Sequence, residues 1–368
     1  MFGSQSKQMM RSPVRKGGHL AKSAESDRLG FIRKGATMRS SLFVALVLII
    51  GFVAPMPADF WLSANQRNST IPASDADELT HNAGKLLFRS RLITASPPRG
   101  QIWTMNADGS DARQITCNDR DDVAATWSPN GQWILFYSGE TLPNGLPIQN
   151  LYFIGANDEC GPGTFLTEGR FADWSPVGQK IAFDRGRLGV RDIYVRYMDG
   201  TEVNVTNNAT ARNTRASWSP DGKKIAFAGG PGGEGTEDVY VINEDGSELT
   251  QLTFGAQGNN GPRFSPNGRK IAFQSDRDGG RAHRNIYVMN ADGTDQTRLT
   301  DDIGAGGFPN WSPNGQKIVF MSSRTPDGSM QLFIMNADGT DQTQITDPPT
   351  TNSFSAWGAG HDVPQKSK

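Results

Sequence analysis

An aromatic residue followed by Ser-Pro recurs through this protein at a nearly fixed interval. It stands at Trp127, Trp174, Trp218, Phe264 and Trp311, with spacings of 47, 44, 46 and 47 residues. Trp357, followed by Gly358, arrives 46 residues later as a truncated sixth copy. A unit of this length is one supersecondary element that cannot bury its apolar faces alone, so the copies must stack on one another. A second signal runs in phase with the first. Asn-Ala-Asp-Gly or a close variant falls at 106–109, 199–200, 243–246, 290–293 and 336–339, with a degenerate version at 157–161.

Each unit reads as four short strands. In the last full copy, 309–312 forms the first strand and Pro313-Asn314-Gly315 a turn. KIVFMS (317–322) forms the second strand, QLFIM (331–335) the third and 344–346 the fourth. Runs of four to six Ile, Val, Phe and Tyr bounded by Gly or Asp-Gly are strand signals. In Ser-Pro-Asn/Asp-Gly, Pro pre-sets φ near −65° and Gly takes the position where φ turns positive. Pro also lacks a backbone donor, which suits the edge strand on the inside of a blade. Residues 85–116 supply three strands without an anchor, and 352–358 supply the missing inner one. The expected fold is all-β: a six-bladed β-propeller of four-stranded antiparallel blades. Its first blade is closed by strands from both ends of the sequence, which removes the exposed edges of a linear array. Trp127, Trp174, Trp218, Phe264, Trp311 and Trp357 are its structural anchors.

Charge divides the sequence. Residues 1–39 carry nine Lys/Arg and two acids, and the remainder carries 28 basic and 36 acidic residues. The repeat region therefore lacks the general basic character of a nucleic-acid binder. The apolar run LFVALVLIIGFVA (42–54) follows Arg33, Lys34 and Arg39. That is the pattern of an export signal, although the run with its flank also approaches the lower limit of a membrane span. The division is a basic n-region at 1–39, a signal peptide or anchor at 40–62, a linker at 63–84, the propeller at 85–358 and a polar tail at 359–368. The protein is expected outside the cytoplasm, touching membrane only through 40–62 where that segment stays uncleaved. Cys117 and Cys160 are expected to stay unbridged. One follows an outer strand, and the other lies in a hairpin assigned to the opposite face.

No catalytic constellation is legible. There is no G-x-S-x-G elbow, and His283, in the loop DRDGGRAHR (276–284), is the one propeller histidine. Three or four nitrogen or sulfur ligands for zinc are missing. Asp119, Asp121 and Asp122, the pair Asp276 and Asp278, and the pair Asp301 and Asp302 lack calcium-loop spacing. GGPGGEG (229–235) lacks the Lys-Ser/Thr of a phosphate loop. The expectation is no cofactor, no metal and no enzyme activity.

The loops sort by face. The turns joining first to second and third to fourth strands are short and alike. The opposite face carries the variable loops 139–150, 186–191, 229–237, 275–285 and 323–330, and binding variation concentrates in such loops on a rigid frame. The blade connections on that face should bring Arg170, Arg212, Arg215, Asn259, Asn260 and Asp302 near the channel mouth as a candidate partner-binding set.

WSPDGKKIAF (218–227), NIYVMNADGTDQTRLT (285–300) and WSPNGQKIVF (311–320) resemble the WD40-like (PD40) repeats of the TolB-type propeller. The resemblance covers about three quarters of the sequence and implies a periplasmic, protein-binding propeller. TolB proper carries an α/β domain before its propeller, whereas about 25 residues separate the apolar run from the first strand here. The expected function is a non-catalytic, monomeric platform in the cell envelope for a protein or peptide partner. Two alternatives stay open: a carbohydrate-binding or polysaccharide-lyase-like propeller, and a sensory ectodomain held by an N-terminal anchor.

Overall fold

In a computed structural model of the protein, the described residues are 84–358, apart from 93–98, 142–146, 159, 178, 187–188, 208–210, 232–234, 256–257, 281 and 302. The n-region, the apolar segment 40–62, nearly all of the linker, the tail 359–368 and Asp302 lie outside them. Among the described residues no helix is long and apolar enough to cross a membrane.

Twenty-four strands form six four-stranded antiparallel sheets among the described residues. Blade 1 has the order β24(Thr350–Trp357), β1(Leu86–Leu92), β2(Gln101–Met105), β3(Arg113–Gln114). The last strand pairs with the first from Leu86↔Trp357 to Leu92↔Thr350, so the two ends of the ring share a sheet. Blade 2 is built from β4(Asp121–Trp127), β5(Trp133–Thr141), β6(Pro147–Gly155) and β7(Thr164–Glu168). Blade 3 is built from β8(Arg170–Trp174), β9(Lys180–Arg185), β10(Asp192–Tyr197) and β11(Glu202–Asn204). Blade 4 holds β12(Thr214–Trp218), β13(Lys224–Gly229), β14(Asp238–Asn243) and β15(Thr250–Gln251). Blade 5 holds β16(Asn260–Phe264), β17(Lys270–Ser275), β18(Asn285–Asn290) and β19(Thr297–Arg298). Blade 6 holds β20(Gly307–Trp311), β21(Lys317–Ser322), β22(Gln331–Asn336) and β23(Thr343–Gln344). The 139–150 region, expected as a loop, is mostly strand: β5 and β6 stay paired out to Thr141↔Pro147 and make a longer hairpin than in any other blade.

The core lies between blades. Trp218, 4% exposed, packs with Ile193, Val195, Ile225 and Phe227, which joins blades 3 and 4. Ser219, Ser265 and Ser312 each turn a hydroxyl onto the Asx side chain two residues on, closing the Ser-Pro turn at 2.6–2.8 Å. A polar latch repeats on the other face. Thr116, Thr206, Thr253, Thr300 and Thr346, each just after an outer strand, accept from the backbone N–H of the second residue of the third strand. Each donates in turn to the side chain that opens that strand, as Thr253 does to Asp238 at 2.9 Å. The next blade completes the latch: Asn259 Nδ2 donates to Asp238 at 2.8 Å, and Asn352 Nδ2 to Gln331 at 2.8 Å. Buried polar groups satisfied in this way fix how neighbouring blades dock.

Cys117 and Cys160 form a disulfide, with Cα atoms 4.7 Å apart, which corrects the expectation of unbridged cysteines. The third-to-fourth connection of blade 2, residues 156–163, is longer than its counterparts. It runs parallel to the edge of blade 1: Cys117 N–H donates to Gly161 O, and Gly161 N–H to Ile115 O, both at 3.2 Å. A short turn stays at one face, whereas a longer one climbs the neighbour's outer edge and carries Cys160 to Cys117.

Candidate functional site: the axial channel

The six inner strands line the axis, and all are bulged at one position. Ala124, Phe171, Arg215, Gly261, Phe308 and Phe354, each three residues before its anchor, have φ between 47° and 61°. The pairing of each inner strand with its neighbour shifts register at this point. The left-handed region suits glycine, and a bulky side chain there costs about 1–2 kcal/mol. Only blade 5 places glycine at it. The other five copies hold larger residues, which converge on the channel.

These side chains narrow the channel at mid-height. Phe308 and Phe354 have ring centroids 5.1 Å apart, and Phe171 lies 6.0 Å from Phe354. Arg215 completes the collar: its guanidinium sits over Phe171 at 4.6 Å and over Phe308 at 4.5 Å. A void of about 40 Å³ remains beside Arg215 and the three phenyl rings. Nη1 of Arg215 donates to Asn260 Oδ1 at 2.8 Å, and its Nε has no hydrogen-bond partner. No carboxylate lies within ion-pair distance of Arg215 among the described residues. Burial, with the nearby Arg170 charge, pushes the guanidinium down to about 10, so it stays charged at neutral pH.

Above the collar, on the long-loop face, the charges are individual to each blade. Asp184, fully buried at the end of β9, accepts from Arg170 Nε at 2.7 Å, Thr214 Oγ1 at 2.8 Å and Arg215 N–H at 3.1 Å. Arg191 approaches it at 3.8 Å and is shifted downward by burial and by Arg170. Arg212 pairs with buried Glu237 at 3.2 Å, and Arg89 with Asp121 at 2.6 Å. Tyr137, buried against Phe171 with ring centroids 5.0 Å apart, is pushed up to about 12 by burial. A cavity of about 290 Å³ opens between the long blade-2 hairpin and blade 3, lined by Ile148, Gln149, Arg170, Arg185 and Arg191 among others.

Below the collar the ring is regular. The anchors surround a vestibule of about 410 Å³ floored by the Ser-Pro turns. Trp311 Nε1 donates to Arg263 O at 3.1 Å. Asp173 accepts from Trp218 N–H at 2.9 Å and lies 4.0 Å from Arg263. Burial raises its carboxyl above the usual value, with Arg263 opposing.

Of the residues expected at the mouth, the structure brings Arg170, Arg215 and Asn260 together at the upper channel. Arg212 stands over Glu237, Asn259 belongs to an inter-blade latch, and Asp302 lies outside the described residues. Phe171, Phe308, Phe354, Tyr137 and Asp184 are additions that the sequence does not announce. Aligning the copies on their anchors finds the first three, as a phenylalanine three residues before the anchor in half of the blades. Among the described residues no three His, Cys, Asp or Glu side chains group as metal ligands.

The described residues form a closed ring of six four-stranded antiparallel blades. Residues 255–362 match the family described as TolB beta propeller domain. Over 84 residues the protein is 31% identical to the Tol-Pal system protein TolB of Albidiferax ferrireducens. That stretch is 23% of this protein and about a fifth (19%) of the relative's length. TolB from Acinetobacter baumannii superposes with a TM-score of 0.60 at 22% identity, over 74% of this protein and 66% of that one. Putative TolB from Agrobacterium tumefaciens superposes with a TM-score of 0.55 at 25% identity, over 71% and 89%. Hydrazine synthase of Kuenenia stuttgartiensis shares the fold alone, at 14% identity and a TM-score of 0.58. The described ring is a TolB-like six-bladed β-propeller.

Proposed function

We propose that this protein is an exported, non-catalytic platform in the cell envelope that binds a protein or peptide segment at the long-loop mouth of its channel. The observation that carries this reading is the contrast among equivalent positions. Six inner strands share one backbone conformation at the bulge, yet the side chains there differ: three Phe, one Arg, one Ala and one Gly, the Phe and Arg residues held in a strained conformation. A position that the fold leaves free and that is still filled at a conformational cost points to a ligand. The disulfide is in keeping with an oxidising compartment, as is the basic and apolar N-terminal pattern. The TolB likeness supports a protein as the partner. The Arg170 and Arg215 pair remains part of the proposed site, together with Pro147, Gln149 and Arg191 beside them.

The test is photo-crosslinking from defined positions in the full-length protein. A crosslinker at Pro147 or Val190, on the long-loop face, should trap a discrete partner in envelope extracts. The same group at exposed Asn267 or Gln316, in the Ser-Pro turns, should trap none. Equal capture from both faces, or capture only from the turns, would remove the long-loop face as the binding surface.

A further inference from the structure

Arg215 is a cation in the wrong place for a purely structural role. It occupies a strained left-handed position that blade 5 fills with Gly261. It is wedged between two phenyl faces, makes one neutral side-chain hydrogen bond and has no carboxylate partner among the described residues. Every other arginine named at the upper mouth faces an acid. Asp184 and Glu237 act on the guanidinium only from beyond contact distance, and a partly buried guanidinium with no carboxylate in contact is costly, a cost that an incoming anion repays. Phenyl faces on two sides suit an aliphatic stem better than a hydrated inorganic ion. The void of about 40 Å³ beside Arg215, lined also by Arg263 (itself 4.0 Å from Asp173), holds a group of carboxylate size and excludes a ring.

We propose that Arg215 is a carboxylate receptor: the collar takes the acid group of a short aliphatic side chain, or the terminal carboxylate, of the partner segment. Nε and the free edge of the guanidinium donate to it, and Phe171 and Phe308 flank its stem. This deepens the function proposed above and rests on it, but its test needs no partner.

The probe is butyrate, the glutamate side chain together with its Cα carbon, against neutral butyramide, with the full-length protein followed by thermal melting and calorimetry. Butyrate should raise the Tm saturably and butyramide should not. Arg215→Gln should fold, since it removes an uncompensated charge, and should bind butyrate at least about tenfold more weakly, the scale of one lost charged hydrogen bond. Asn260→Asp keeps both acceptor contacts of Asn260 and places an internal carboxylate at Nη1. It should raise the Tm and abolish the butyrate response. Blocked pentaglycine with a central Glu, set against the same peptide with a free terminal carboxylate and no Glu, separates side-chain from terminal capture. Equal responses to butyrate and butyramide, or butyrate binding unchanged in both variants, would overturn the receptor. That result would leave the crosslinking outcome untouched, just as crosslinks from the wrong face would leave butyrate binding standing.

Discussion

At the lower end of the channel the inner strands finish on Trp127, Trp174, Trp218, Phe264, Trp311 and Trp357. Three residues earlier the same strands present Ala124, Phe171, Arg215, Gly261, Phe308 and Phe354. Both sets belong to matching backbones, down to the positive φ of the second set. The first set repeats because each anchor fills the same gap between neighbouring sheets. The second repeats only in part, with Phe in three copies and Ala, Arg and Gly in the others, because the ring closes whatever stands there. A repeat protein thus carries its own control: positions that recur report the fold, and positions that fail to recur at equal geometry report something else.

The harshest way to break the comparison is to open the ring. Removing residues 347–368 takes away β24, leaving Leu86 and Leu87, both fully buried, without their inner neighbour. Such a protein should lose cooperative unfolding altogether, seen as a vanished calorimetric peak and flattened near-ultraviolet circular dichroism. A sharp, unshifted transition would mean that the blades do not depend on closure.

Within the repeated half, Trp218→Ala should cost about 3–5 kcal/mol in urea unfolding, the range for large aromatics cut from a packed core. Trp218 seals blade 3 to blade 4 and carries the Lys180 ammonium 5.1 Å from its ring. The same truncation at Phe354, in the non-repeating set, should cost less, because its ring is only partly buried and lines the channel void rather than a seam between blades. If Phe354→Ala proves as damaging as Trp218→Ala, the collar is core and the contrast between the two sets collapses.

Legibility in the sequence follows the same division. The anchors, the Asp-Gly turns and the shared first blade are legible because each recurs at a fixed spacing, and recurrence averages out local ambiguity. β21 can be placed to the residue, whereas the inner strand of the same blade reads two residues short, because Gly307 and Phe308 do not look like strand. Arg170, Arg215 and Asn260 are found through their place in the blade connections. The phenyl collar is not, since apolar residues inside a propeller read as ordinary core until the copies are laid over one another. The disulfide escapes for a different reason. Treating a turn as a point on one face leaves out the extra length of residues 156–163, which becomes reach along the neighbouring blade.

That disulfide offers a milder test. Cys117 and Cys160 are 43 residues apart, and closing such a loop in the unfolded state gives about 4 kcal/mol in the entropy account, with roughly 2–4 kcal/mol typical. Cys117→Ser with Cys160→Ser should therefore lose about 3 kcal/mol, in the same direction as adding reductant to the unaltered protein. The two treatments should not add, and an additive loss would place the effect of reductant elsewhere.

The smallest effect sharpens the comparison most. Asp122 opens the inner region of blade 2 at a position held by Asn213, Asn259 and Asn352 in three other copies. It is fully buried. Its Oδ2 accepts from Asn118 at 2.7 Å, while Oδ1 has no partner, because Thr116 donates to Gln101 and Ser138 to a backbone carbonyl. Burial raises its carboxyl above the usual value of 3.8. With the folded-state value raised, the folded protein holds the proton more tightly than the unfolded one, so this group's contribution to stability falls as pH rises through that window. Asp122→Asn, which restores the residue used by the other copies, should therefore match the unaltered protein near pH 4. It should become progressively more stable relative to it as pH climbs, and level off about 1 kcal/mol ahead at neutral pH. Urea titrations at pH 4, 5, 6 and 7 measure this directly. A constant offset would mean that the carboxylate finds a partner in solution, and a reversed slope would mean that Asp122 is held charged by an interaction absent from the apo ring. Either outcome would move Asp122 from the tolerated exceptions to the functional ones.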